Sequence, residues 1–315
     1  MASKGMNDFL SARCRSLFRP LRLYRSLNFS LSFGLIFSLC ISALTATRAN
    51  AAETPQAQDL PRIVSLNMCA DPYLMAFADA GQISALSSLS QIETLSPFHQ
   101  AARAYSVTDG GIEDILARQP DVVIVSPYSS PMKQALLTAN GIRIVTLAAS
   151  QNFAAAGEEI LALGRAIGRG AEAAAYWHAL QEAYQRAQRP ARGLRILALQ
   201  RRGLSAAPGH VLGEIITSAG GQLSAPSHAP AQALVAIGLE QAIAMPADAL
   251  LVAAPIGMPR DRGDEYLSHP ALAAKFPESQ LLYLPANLTH CTGAATPLAI
   301  EHLAKALEGL DKLAP

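Results

Sequence analysis

Cysteine is scarce in this chain. There are four in 315 residues: Cys14, Cys40, Cys69 and Cys291. None sits in a Cys-x-x-Cys pair and no histidines cluster, so a closed structural zinc site has no support. Catalytic signatures are missing too. There is no G-x-S-x-G, no H-E-x-x-H and no P-loop. The glycines of "LGRAIGRG" lie in a helical context without the strand that a phosphate loop needs. The Asp, His and Ser residues cannot be assembled into a triad from their order alone. These absences argue against the common hydrolase, metalloprotease and nucleotidase classes.

Long apolar runs are limited to one. "LSFGLIFSLCISAL", Leu31 to Leu44, follows a basic lead of Arg13, Arg15, Arg19, Arg22 and Arg25, and precedes Ala49 and Ala51 in A-x-A positions. That pattern predicts a secretory signal peptide over residues 1–51, cut near Ala51. A retained N-terminal anchor is the alternative. Cys40 follows Leu39 rather than a small residue, which argues against a lipoprotein site. Removing the leader takes seven of the 25 basic residues and one of the 24 acidic ones. The remainder, 18 against 23, is about five units acidic, with no basic surplus to suggest nucleic acid. Cys14 and Cys40 leave with the leader. The expected mature protein is soluble, periplasmic and monomeric, with Cys69 and Cys291 in a compartment that permits disulfides.

What remains reads as α/β. A polar lead-in covers residues 52–61. In the segment 62–150, "RIVSLN", "QISALSS", "DVVIVSP" and "IRIVTL" read as strands. "ADPYLMAFADAG", "IEDILARQ" and "SPMKQALLTANG" read as helices, with Asp71 placed to cap the first. Such alternation predicts a mostly parallel sheet. Residues 151–190 carry almost no strand signal and read as two helices broken near Gly168 and Gly170. The second places Ala174, Trp177, Leu180 and Tyr184 on one face and is about 27 Å long. Alternation restarts over 191–315 with the strands "LRILALQ", "DALLVAAP" and "QLLYLP". "HVLGEIITSAGG", "GLEQAIAMP" and "TPLAIEHLAKALEGL" are its helices.

One short pattern occurs twice. "GIEDILARQPDVVIV" from Gly111 and "GLEQAIAMPADALLV" from Gly238 align without a gap, sharing Gly, Glu, Ala, Asp and Val. Each runs helix, turn with Asp, buried strand. The chain is therefore expected to form two similar α/β lobes, with ligand at the carboxyl ends of their strands. The loops entering that cleft would be "NMCAD", "SSLSQ", "SVTDGG" and "SPYSS" from the first lobe. From the second come "QRRGLSAAPGH", "APIGMPR" and "ANLTHCTGAATP". This placement nominates Asn67, Cys69, Ser88, Tyr128, Arg201, Arg202, His210, His290 and Cys291 as ligand contacts.

"RIVSLNMCADPYLMAFADAGQISALSS", "GIEDILARQPDVVIVSP" and "LTHCTGAATPLAIEHLA" resemble the periplasmic substrate-binding proteins of ABC importers, in their iron-siderophore and cobalamin class. The resemblance runs from about Arg62 to Leu310. It implies two Rossmann-like lobes joined by one rigid helix, here Ala171 to Gln188, with little lobe motion. It implies a cargo that is a metal chelate (ferric siderophore, cobalamin or haem), no intrinsic cofactor and no catalysis. It also implies docking onto a membrane permease through one carboxylate per lobe. Glu113 in "GIEDI" and Glu240 in "GLEQA" match those positions, and a first-turn glutamate is held ionised by the helix dipole. In haem-binding members a cleft tyrosine ligates iron, which makes Tyr128 a candidate; a rim aromatic is the plainer reading.

Three readings stand for Cys69 and Cys291: a disulfide across the cleft, two free thiols near it, or metal ligation together with His290. The arginines Arg201 and Arg202 suit a bidentate grip on carboxylates. His210 and His290 are pocket contacts or surface and capping residues. Two other functions stay open: a carrier of a bare metal ion through Cys69, His290 and Cys291, and a secreted redox or metal-dependent enzyme.

Overall fold

The computed structural model describes residues 60–227, 230–254 and 265–311. The leader, and the lead-in up to residue 59, lie outside the described residues. Among the described residues no helix is long and apolar enough to cross a membrane.

The first lobe is built on five parallel strands: β1 (Ile63–Ser65), β2 (Ile83–Ser87), β3 (Val107–Thr108), β4 (Val122–Val125) and β5 (Arg143–Thr146), in the order β3-β2-β1-β4-β5. The run "VVIV" of β4 is buried along its whole length. A strand covered on both faces must be apolar at every position, and this run is. Helices α1 (Asp71–Phe77), α2 (His99–Ala102), α3 (Ile112–Ala117) and α4 (Pro131–Ala139) complete the lobe. Asp71 does not cap α1. The cap is Ala70, and Pro72 fixes the first turn one residue further on. Asp71 instead lies buried, its Oδ2 accepting the backbone N–H of Ser87 at 3.1 Å.

Two helices follow, α5 (Phe153–Ala166) and α6 (Gly170–Ala187). Gly168, at φ 75°, makes the break between them in a left-handed conformation that favours glycine. The inward face of α6 is Ala173, Trp177, Leu180, Tyr184 and Ala187; Ala174 is exposed, so the expected stripe is displaced by one residue at its start. Its cause is the tight crossing of α5 over α6, where Gly164 meets Ala173. Helix α6 packs on α1 at one side and on the last helix, α10 (Thr296–Asp311), at the other. It therefore bridges the two lobes, with Phe153 stacked on Tyr184 at 4.1 Å.

The second lobe contains β6 (Arg195–Gln200), β7 (Leu204–Ala206), β8 (Gln222–Ser224), β9 (Leu234–Ala236), β10 (Ala249–Ala254) and β11 (Leu281–Pro285). Their order is β11-β10-β6-β7-β9, with β8 beside β6. Here the expectation needs adjustment. Strands β11, β10, β6 and β8 are parallel, but β7 pairs antiparallel to both β6 and β9, so this sheet is mixed. Helices α7 (Val211–Ser218), α8 (Leu239–Ala244) and α9 (Pro270–Lys275) join α10 around it.

The repeated pattern has a structural counterpart at its aspartate. In the first lobe, Asp121 Oδ2 accepts the N–H of Arg62 at 2.7 Å, and Asp121 N–H donates to the Arg62 carbonyl at 2.9 Å. In the second, Asp248 Oδ2 accepts the N–H of Arg195 at 2.8 Å, and Asp248 N–H donates to the Arg195 carbonyl at 2.7 Å. Each aspartate clamps the residue that leads into or opens its lobe's central strand, β1 or β6. In the second copy the Arg195 guanidinium adds a two-point grip on Asp248 and holds that carboxyl below the usual range.

Candidate ligand cleft

The carboxyl ends of β5, β6, β10 and β11 converge on a cavity of about 520 Å3. Ala149–Gln151, leaving the first lobe, form one wall. The rest comes from the second lobe: the β6–β7 turn with Arg201 and Arg202, the start of α7 with His210, and the segment after β11 with Thr289, His290 and Thr292. Pockets of this size hold drug-sized ligands.

Four of the expected contacts thus come together: Arg201, Arg202, His210 and His290. The order strand, turn, arginine pair is what brought Arg201 and Arg202 into view from sequence. His210 caps α7, its Nδ1 accepting the N–H of Leu212 at 3.2 Å, and burial lowers its pKa. His290 stands exposed at the cavity's edge. Gln151, Gln200 and Thr292 line the cavity too, and residues 149–151 escaped the sequence reading because they look like the tail of a strand. Most of the loop "APIGMPR" lies outside the described residues.

Other expected contacts are elsewhere. Asn67 is buried and its side chain bonds to backbone. Its Nδ2 donates to the carbonyls of Val125 and Leu147, and its Oδ1 accepts the N–H of Cys69. It ties β4 and β5 to the first loop and is not among the residues lining the cavity. Ser88 opens a 3-10 turn outside the cavity lining. Tyr128 is 86% exposed and is not among the lining residues, which is the placement of a rim aromatic.

Cys69 and Cys291 form a disulfide, S–S 2.01 Å and Cα–Cα 5.3 Å. Two of the three readings of this pair fall. Bonded sulfurs are not free thiols, and they carry no thiolate to give a metal, so a site of Cys69, His290 and Cys291 is not formed. Among the described residues no group of three His, Cys, Asp or Glu is arranged to hold an ion. The bond links the first loop of one lobe to the last loop of the other. Hydrogen bonds reinforce the seam: Tyr73 Oη donates to the Thr292 carbonyl at 2.8 Å, and Asn287 Nδ2 to the Glu93 carbonyl at 2.9 Å. Burial raises the pKa of Tyr73, which keeps that donor protonated. Gly293 (φ 104°) is required beside it, since a Cβ there would collide with the Tyr73 hydroxyl.

Glu113 and Glu240 are exposed, each in the first turn of its helix, α3 or α8, behind a glycine.

A family profile described as periplasmic binding protein matches residues 63–277. The chain belongs to this family. Its match runs from β1 through the first lobe and the helices between the lobes to the end of α9, short of β11 and α10. Comparison with curated protein sequences finds no match. Solved structures do match. A periplasmic haem-binding protein from Pseudomonas aeruginosa aligns at TM-score 0.59 and 22% identity, over 78% of this chain and 92% of the other. The haem-binding protein HutB of Vibrio cholerae gives 0.63 and 17%, over 78% and 98%. The vitamin B12-binding protein BtuF of the same organism gives 0.53 and 20%, over 80% and 98%. At these identities the likeness is one of fold: this periplasmic binding protein shares the two-lobed α/β architecture of chelate carriers.

Proposed function

We propose that this protein captures a bulky metal chelate in the cleft between its lobes and hands it to the permease of an ABC importer. One observation carries the reading: a cavity of about 520 Å3 at the carboxyl edges of the strands, walled by both lobes and rich in side-chain donors. Its size and position suit a chelate rather than a bare ion. Structural neighbours described as binding haem and vitamin B12 support the cargo class. The work is binding and release, with no turnover. The seam of disulfide, hydrogen bonds and bridging helix favours a cleft whose width changes little between empty and loaded states.

Native mass spectrometry tests this directly. The mature protein is mixed with ferric siderophores, haemin and cyanocobalamin in turn. A one-to-one adduct with one of them is expected and names the cargo. If no chelate is retained while a bare divalent ion is, the proposal is wrong.

On the outer surface, Glu113 and Glu240 are the docking carboxylates. Charge pairs of this kind set orientation and encounter rate more than raw affinity.

A further inference from the structure

The described lining of the cavity is cationic. It includes two arginines and two histidines and neither Asp nor Glu, although the mature chain is acidic. With Arg202 and the histidines among its described residues, this wall is suited to an anion. The lining Gln, Ser and Thr side chains do not change the sign.

Arg202 stands out within that wall because of its backbone. It sits at φ 60°, ψ 22°, in the left-handed region, in the three-residue turn between Gln200 of β6 and Leu204 of β7. An L-residue with a Cβ is disfavoured there, and glycine or asparagine is the ordinary choice. The next residue, Gly203, is left-handed as well, and a Cβ on it would meet the Ile237 carbonyl. The turn therefore demands two successive left-handed residues and takes glycine at only one. At the other it carries a long cationic side chain, exposed, lining the cavity, and paired with no carboxylate among the described residues. Residues held in this region cluster at ligand sites, and of the three non-glycine residues with positive φ among those described, Arg202 is the one in the cavity lining.

The nearby His210 sharpens the chemistry. Its Nδ1 accepts a hydrogen bond, so that nitrogen carries no proton and Nε2 does. Nε2 can then donate to an oxygen but has no lone pair for a metal. His210 serves the periphery of a chelate and not its ion.

We infer that Arg202 is a specificity residue, held in a disfavoured backbone conformation so that its guanidinium can grip a carboxylate of the cargo, with His210 Nε2–H as a neutral second donor. The cargo class is thereby narrowed to carboxylate-bearing chelates, such as ferric complexes of carboxylate siderophores or haem with its propionates. This rests on the chelate reading above.

The test uses the mature, oxidised protein as wild type, Arg202→Gly and Arg202→Lys. Thermal unfolding is read beside affinity for ferric citrate, haemin and the uncharged chelate ferrichrome. Wild type is expected to bind a carboxylate probe. Arg202→Gly should then raise Tm by relieving the turn while weakening that binding about tenfold or more; Arg202→Lys, which keeps the Cβ, should leave Tm unchanged and bind with intermediate affinity. Opposite movement of stability and affinity is the signature. A glycine variant that gains stability and keeps its affinity overturns the inference, as does one that loses stability. Wild type that binds only ferrichrome overturns it too, yet leaves the chelate reading standing. Wild type that binds no chelate at all removes both.

Discussion

Asp71 shows what one residue can do to the pH response of the whole. It is buried in the first lobe, with Ser87 N–H on its Oδ2 and the hydroxyls of Ser65 and Ser90 nearby. Burial outweighs these donors and pushes its pKa up to about 7. The sign follows. Between about pH 4 and pH 7 the folded state holds a proton that the unfolded chain has lost. Stability therefore falls across that window as pH rises and stays low above it. Asp71→Asn keeps an acceptor for Ser87 N–H and removes the ionisation. The variant should be more stable than wild type at pH 8, by roughly 1–3 kcal/mol, and no better at pH 4. Urea unfolding at both values decides it; equal midpoints at pH 8 would show that the carboxylate is accommodated without cost. The sequence read Asp71 as a cap because aspartate before Pro is a common helix start. Burial, which depends on strands far along the chain, was not visible there. The same holds for Asn67, whose loop position suggested a ligand contact while its partners are the carbonyls of Val125 and Leu147. Arg202 was visible because the end of a buried strand is a local signal.

At the scale of elements, the pattern that occurs twice turns out to be a joint. Asp121 and Asp248 each accept a backbone N–H at the mouth of a central strand. Replacing either by Ala removes that acceptor and should lower stability by about 0.5–1 kcal/mol. Arg195→Ala should do less harm than Asp248→Ala, because the backbone bond survives it. Denaturant midpoints of the three variants give the order, and a larger loss for Arg195→Ala would shift the weight to the ion pair. Long elements with buried faces were legible from sequence: β4, β6 and β10 from unbroken apolar runs, α6 and α10 from their period. The strands β3, β7, β8 and β9 were not. They are two or three residues long and partly exposed, so neither alternation nor an apolar run marks them. The mixed character of the second sheet escaped for that reason, since β7 and β9 carry its antiparallel pairs.

For the whole molecule, the proposed function divides the labour between a seam that fixes the cleft and an outer surface that meets the permease. Glu113 and Glu240 stand exposed on separate lobes, so the docking proposed above would need both lobes presented together. Reversing both to Lys should abolish uptake in cells while leaving chelate affinity within about twofold. Uptake at the wild-type rate would remove these carboxylates from the interface. The two-lobe architecture was legible from the repeat and from the resemblance, whereas the state of the two cysteines needed coordinates, because spacing of 222 residues says nothing about distance in space. That spacing has a further consequence, in time. With a leader that is cleaved on export, as the sequence pattern predicts, Cys69 emerges long before Cys291 and has no other mate within the chain. Its thiol must then wait until all but the last 24 of the 315 residues have arrived. Closure of the bond then reports that the chain has reached residue 291: one cut short before it keeps an unpaired sulfur, and a longer one does not.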